Sequence, residues 1–183
     1  MSELKRDVTV STERIYEGKI LNLRVDTIDQ DGRKAKREIV EHKGACAVAA
    51  VTDEGDILFV RQYRIAVDDF ILEIPAGLID PGENPEETAV RELEEETGYI
   101  AGSIEKVQSC YTSPGFTDES IHIFLAWNLK EGEMNLDEGE NLTVEKYPID
   151  SIDTLIENAD DSKTVMGLLH LARNRERIMK DIK

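Results

Sequence analysis

The feature that most constrains this chain lies between residues 83 and 96, where seven glutamates accompany a single arginine. The stretch carries helix punctuation at both ends. Asn84 suits the N-cap, Pro85 suits the first helical position, and Glu87 is placed to return a capping-box bond. Gly98 stands where a left-handed residue usually ends a helix. The spacing predicts a helix over 85–97. Ala89 and Leu93 give it an apolar face for packing on a sheet. Glu92, Glu95 and Glu96 are separated by three and four positions from Glu92, so their carboxylates share one face within about 100° of arc. Like charges so placed destabilise a helix unless something offsets them. Arg91, four residues before Glu95, can hold one carboxylate, and a hard divalent cation that prefers oxygen ligands can offset the others. A solvated acidic helix is the other reading of the same residues, and charge alone does not choose between them.

The surroundings add a sheet. Ala45–Thr52 is small and apolar, as expected of a strand buried on both faces, and Ile57–Val60 follows a turn at 53–56. A short strand at Phe70–Ile74 runs into Pro75-Ala76-Gly77, which delivers the chain to the acidic helix. Strand-like segments follow near 104–112 and 120–128, the second with Ile121, Ile123, Leu125 and Trp127 alternating. Residues 162–181 read as a helix with Val165, Leu168, Leu169 and Ala172 at core-facing spacing. Ahead of all this, residues 1–43 predict a small antiparallel β unit: a strand-like run at Ile20–Val25, a turn at Asp31-Gly32, and a second strand beginning at Arg37. The expected architecture is α/β with a mixed sheet and two main helices. The expected domains are an N-terminal β unit at 1–43 and a main domain at 44–183.

Composition narrows the partners. The 183 residues carry 22 Lys+Arg against 39 Asp+Glu, a net charge of −17, which argues against general nucleic-acid binding. No apolar run approaches the ~20 residues of a membrane span. The polar start Met1–Asp7 lacks a secretory core, so a cytoplasmic protein with no membrane partner is expected. Cys46 and Cys110 are expected to be buried packing residues rather than a disulfide framework or metal ligands. The three histidines are scattered, so no histidine triad or zinc cluster is in view, and His122 reads as a local hydrogen-bonding group.

Gly77, Glu83, Arg91-Glu92-Leu93, Glu95-Glu96, Gly98 and Tyr99 together follow G-x5-E-x7-R-E-U-x-E-E-x-G-U, with U a bulky apolar residue. This resembles the Nudix box at every fixed position. Chance agreement at seven such positions is on the order of 10⁻⁸ per start site, given typical residue usage, so the resemblance outweighs the solvated-helix reading. It implies an α/β/α sandwich and a hydrolase of nucleoside diphosphates linked to another moiety, using two or three Mg²⁺ or Mn²⁺ ions. By position it implies Glu92, Glu96 and the Ala76 carbonyl as metal ligands, Glu95 as a further ligand or a proton acceptor, and Gly77, Glu83, Arg91 and Gly98 as supports of the box.

Segments outside the box resemble the ADP-ribose pyrophosphatase subgroup. Pro114, sixteen residues after Gly98, lies within Ser113-Pro114-Gly115-Phe116-Thr117-Asp118-Glu119. The resemblance gives Ser113, Pro114, Gly115 and Glu119 a substrate-binding role, and it does the same for Arg37 and Arg64. In an acidic protein, local arginines must reverse the field for an anionic substrate. Lys43 departs from the subgroup, whose members often carry proline after the histidine at 42. The acidic loop Leu136–Asn141 resembles the subgroup's mobile catalytic loop, with Glu138 matching the water-activating acid and Glu140 a metal ligand. The subgroup is usually a homodimer. The resemblance therefore implies cleavage of ADP-ribose to AMP and ribose 5-phosphate. Another nucleoside diphosphate sugar or a dinucleotide is the alternative substrate, and a non-catalytic nucleotide sensor is the alternative class.

Overall fold

The computed structural model describes residues 4–182. Two compact units appear: the chain through Gly44 together with Cys110–Ser120, and Ala45–Ser109 together with the chain from Ile121 onward.

The first unit is a three-stranded antiparallel sheet of β1 (Val8–Glu17), β2 (Leu21–Gln30) and β3 (Arg33–His42), in that order. Asp31 and Gly32, both at positive φ, make the turn between β2 and β3, as the Asp-Gly pair predicts. β1 is an addition to the sequence reading. All ten of its residues are exposed, so no buried face printed an alternating pattern on it. Segment 113–119 joins this unit, not the main domain where its sequence position put it. Val40 N–H donates to the Phe116 carbonyl (2.8 Å), Asp118 N–H to the Val40 carbonyl (3.2 Å), and His42 N–H to Asp118 Oδ1 (2.9 Å). These pairings are between residues far apart in sequence, which no local pattern announces.

The second unit is built on β4 (Ala45–Ala50), β5 (Asp56–Arg64), β6 (Asp69–Glu73), β7 (Ala76–Leu78), α1 (Pro85–Thr97), β8 (Tyr99–Ile100), β9 (Ser103–Tyr111), β10 (Ser120–Trp127), β11 (Lys130–Glu131), β12 (Leu142–Pro148), α2 (Ile152–Glu157) and α3 (Ser162–Asp181). A four-stranded sheet runs β7-β4-β10-β9, with β4 parallel to β10 and antiparallel to β7. A second, antiparallel sheet runs β12-β5-β6, and β11 pairs with β8.

Period-two alternation along β4 and β10 explains the layers. Cys46, Val48, Ala50, Phe124 and Ala126 cluster with Ala89 and Leu93 of α1. Ala49 and Ile123, one position out of phase, lie against Gly167 of α3. One helix therefore covers each face of the strand pair, and small residues on β4 let both approach. α2 and the β8–β11 ribbon were not visible in the sequence, being too short to show a period. The stripe of α3 also needs correction. Thr164, Gly167, Leu168, Leu171 and Ile178 are its buried residues, whereas Leu169 is 47% exposed. Gly167 and Thr164 do not look apolar, so a reading by hydrophobicity shifts the stripe by one position. Cys46 is buried, but Cys110 is only half-buried, because β9 is the edge strand of its sheet.

Because α1 is seated by Ala89 and Leu93, both fully buried, Leu93→Ala should cost about 2–5 kcal/mol through lost burial and a residual cavity. Urea unfolding measures this, and a loss below about 1 kcal/mol would mean that α1 is held mainly by its polar face.

Candidate active site

The acidic helix forms as its caps dictate. Asn84 Oδ1 accepts from the Glu86 and Glu87 N–H groups (3.0 and 3.1 Å), and Glu87 Oε2 accepts from Asn84 N–H (2.9 Å). Gly98 closes the helix at φ 72°, donating to the Glu94 carbonyl.

On this helix Arg91 is the hub. Its Nε and Nη2 hold Glu83 (2.9 and 3.0 Å), Nη1 donates to both Glu92 Oε1 and Glu95 Oε2 (2.8 Å each), and Nη2 also reaches the Leu78 carbonyl (3.3 Å). Five N–H groups thus have five acceptors, the full capacity of a guanidinium. Those bonds, with one from the Thr88 hydroxyl, hold Glu83 down at about pKa 2. Glu83 in turn leads the shift of Arg91 above its ordinary value.

Glu92 and Glu96 are different. Burial pushes Glu92 up to about 7, against the pull of Arg91 and with help from the negative charges of Glu95 and Glu140. Burial pushes Glu96 up to about 8, against the Ala76 N–H that donates to its Oε2 at 2.9 Å, and again with repulsion from Glu92 and Glu140. The register of β7 supplies that N–H. Val48 N–H bonds the Pro75 carbonyl, so Ala47 and Ala76 face each other as a non-hydrogen-bonded pair, and both Ala76 backbone groups turn away from β4. Gly77 leaves the space that the Glu92 carboxyl group fills: a Cβ there would fall on that group and displace it.

These donors suit a hard divalent cation. Among the described residues no three His, Cys, Asp or Glu side chains already converge on one point. Mg²⁺ does not need them to, since it keeps several waters and takes one or two carboxylates. Two carboxylates on one helix face, Glu96 buried and Glu92 partly buried and both raised chiefly by burial, beside a backbone carbonyl that turns away from β4, are the donor chemistry it requires.

The structure therefore brings together Ala76, Gly77, Glu83, Arg91, Glu92, Glu95 and Glu96, and Glu140 is near enough for its charge to act on Glu92 and Glu96. Glu140 sits on a turn, its Oε2 accepting from Asp137 N–H (2.9 Å), while Glu138 is exposed at the same turn with Gly139 at φ 96°. Arg64 grips Glu73 with Nε and Nη2 (2.6 and 2.7 Å), and its charge acts on Glu96. Arg37 is exposed on β3 and donates to the Lys36 carbonyl (3.1 Å). In the same unit the Ser113 carbonyl accepts from Phe116 and Thr117 N–H (3.1 Å each), and Glu119 Oε2 accepts from the Thr112 hydroxyl (2.7 Å). Pro114 and Gly115 lie within that turn. His122 Nδ1 meets Ser109 Oγ at 2.8 Å, the local bond its setting suggested. The residues that sequence reading missed are Glu73 and Lys163. The available signal was one acid inside the otherwise apolar run Phe70–Ile74, which demands a partner when buried.

Comparison with known proteins agrees with this architecture. A model of the NUDIX domain matches residues 41–168, and the chain belongs to that family. It is 45% identical over 168 residues to an ADP-ribose pyrophosphatase of Bacillus subtilis, covering 89% of this chain and 91% of that one. It is 43% identical over 176 residues to a methanol dehydrogenase activator of Bacillus methanolicus, covering 93% and 95%. The crystal structure of an ADP compounds hydrolase matches in fold with a TM-score of 0.86 at 21% identity, over 98% of this chain and 100% of that one.

The pKa shifts set a pH profile for the metal-free protein. Glu92 and Glu96 bind protons more tightly folded than unfolded, so their contribution is most favourable below about 4.5 and is lost as pH rises through about 7 and 8. Glu83 has the opposite sign: its contribution is present above about 4.5 and is lost as pH falls toward about 2. Melting in a chelator should therefore give a wild-type Tm that falls relative to Glu96→Gln between about pH 5 and 9, with Mg²⁺ reversing the fall. A constant difference across that range would contradict the burial of an ionisable Glu96.

Proposed function

We propose that this chain hydrolyses the pyrophosphate bond of ADP-ribose, releasing AMP and ribose 5-phosphate. The observation that carries the reading is the buried Glu96 carboxylate, held by the Ala76 N–H, with the partly buried Glu92 carboxylate one turn before it on the same helix. It is joined by 45% identity over most of the chain to an ADP-ribose pyrophosphatase.

In this reading Glu92, Glu96 and the Ala76 carbonyl hold Mg²⁺ or Mn²⁺, with Glu95 and Glu140 adding oxygen donors for two or three ions in all. Such ions supply neutralisation of the diphosphate charge and a lower pKa for a bound water. Arg91 keeps Glu92 and Glu95 in fixed rotamers, so little reorganisation is needed when the site fills. Glu138 accepts the proton of the attacking water. Its carboxylate is exposed on a glycine-containing turn, from which the proton passes to solvent. Glu95 is second for this role, because its Oε2 is already committed to Arg91. Arg64 contacts the phosphates, and Arg37, Ser113, Pro114, Gly115 and Glu119 contact the rest of the substrate, as the subgroup resemblance assigns them. The chain works as a homodimer through its N-terminal sheet. The exposure of Val8, Val10, Ile15 and Tyr16 on β1 supports this. A cytoplasmic setting suits a chain with only two cysteines.

A panel of ADP-ribose, other nucleoside diphosphate sugars and dinucleotides tests the substrate, with AMP release as the readout. ADP-ribose should give the highest kcat/KM, and Glu96→Gln should abolish most turnover at saturating Mg²⁺. Glu138→Gln should lower kcat by about 10²-fold or more, with KM little changed. A preference for another substrate overturns the substrate assignment. An unchanged kcat in Glu138→Gln moves the proton to another acid.

A further inference from the structure

Glu73, at the end of β6, is 2% exposed and fully committed. It takes both side-on N–H groups of Arg64 at 2.6 and 2.7 Å, and its Oε2 also accepts from the Lys163 ammonium. Lys163 is paired in addition with Asp161 at 3.0 Å. Asp161 is the N-cap of α3 and accepts from Thr164 N–H at 2.9 Å, while Thr164 Oγ1 accepts from the N–H of Ile74, the neighbour of Glu73. Burial alone would raise the Glu73 pKa, but the two cations hold it low. Thus the first turn of α3 is fastened to the end of β6 at two adjacent residues, and the carboxylate between them faces Arg64.

A buried ion cluster of this kind is weak evidence for stability, since apolar side chains of similar volume often do as well. Its geometry has a more specific consequence. The side-on edge of the Arg64 guanidinium, Nε and Nη2, is locked onto Glu73. The end-on edge, Nη1 with the second Nη2 hydrogen, has no hydrogen-bond partner among the described residues, and the side chain is 44% exposed. An arginine held in this way presents a planar two-donor fork of the kind that matches a phosphate oxygen pair. The Arg64 guanidinium is within electrostatic reach of Glu96 on α1.

We infer that Glu73 and Lys163 are positioning residues for Arg64: they fix its guanidinium so that the free edge receives a phosphate group of the substrate. The inference rests on the proposed role of Arg64 as a phosphate contact. Glu73 and Lys163 touch no reacting atom and act only through Arg64.

The test is a double-mutant cycle read by calorimetric binding of inorganic pyrophosphate in magnesium-containing buffer, using the full chain. Glu73→Gln should weaken binding roughly tenfold in the wild-type background and less than about twofold in the Arg64→Ala background, the non-additivity expected of residues acting as one unit. Glu73→Asp, which keeps the charge, should recover part of the loss. Lys163→Met in the same cycle should show the same coupling with a smaller amplitude, and it stands in if Glu73→Gln does not fold. Equal losses in both backgrounds, no loss in either, or no pyrophosphate binding by the wild type would each overturn the inference. ADP-ribose hydrolysis by the wild type is measured alongside. Its absence with the coupling intact would overturn the substrate assignment and leave the positioning role standing.

Discussion

One guanidinium reconciles a helix that should repel itself with a fold that depends on it. Arg91 distributes five N–H groups over Glu83, Glu92, Glu95 and the Leu78 carbonyl. The first of these lies before α1, two lie on it, and the last lies on β7. The bonds fasten the helix to the strand–turn segment that precedes it and offset the like charges on its polar face. Lysine could not substitute, since an ammonium has three donors and no fixed fork. Even with Glu92 held by Arg91, burial leaves the negative charge of Glu92 and Glu96 unfavourable without a further counter-charge.

The strand register completes what the helix pitch begins. β7 is the edge strand next to β4, so the Ala76 groups that turn away from β4 meet no further strand. The N–H is taken up by Glu96, and Gly77 leaves room for the Glu92 carboxyl group. The small side chains of β4 bring α1 close enough for this to happen, and the opposite face of the same strand receives α3 at Gly167. Packing and chemistry are therefore set by the same few residues. A bulkier β4 would lift the carboxylates away from the strand that orients them.

Much of this was legible in the sequence because it is local. Helix α1 begins and ends where Asn84, Pro85, Glu87 and Gly98 say it should, and the buried run at Ala45–Ala50 has the composition of a strand covered on both faces. What stayed hidden depends on residues distant in sequence. The attachment of segment 113–119 to Val40 and His42 is one case, and the union of Glu73 with Lys163, ninety positions apart, is another. Arg91 was expected to steady Glu95 alone. Its hold on Glu83 and Leu78 follows only once the turn at 79–84 folds back beside the helix. The exposed strand β1 and the short α2 lacked any period long enough to read.

The central dependence is that of the proposed cation site on the Arg91 fork. Calorimetric titration of Mn²⁺ into Arg91→Lys and into the wild type addresses it directly. If the fork orients the carboxylates, the lysine variant should bind Mn²⁺ about 10–100-fold more weakly, the usual effect of disturbing residues that orient metal ligands, while remaining folded by circular dichroism. Equal affinity in the two proteins would contradict the dependence and leave Arg91 only the task of holding the helix in place.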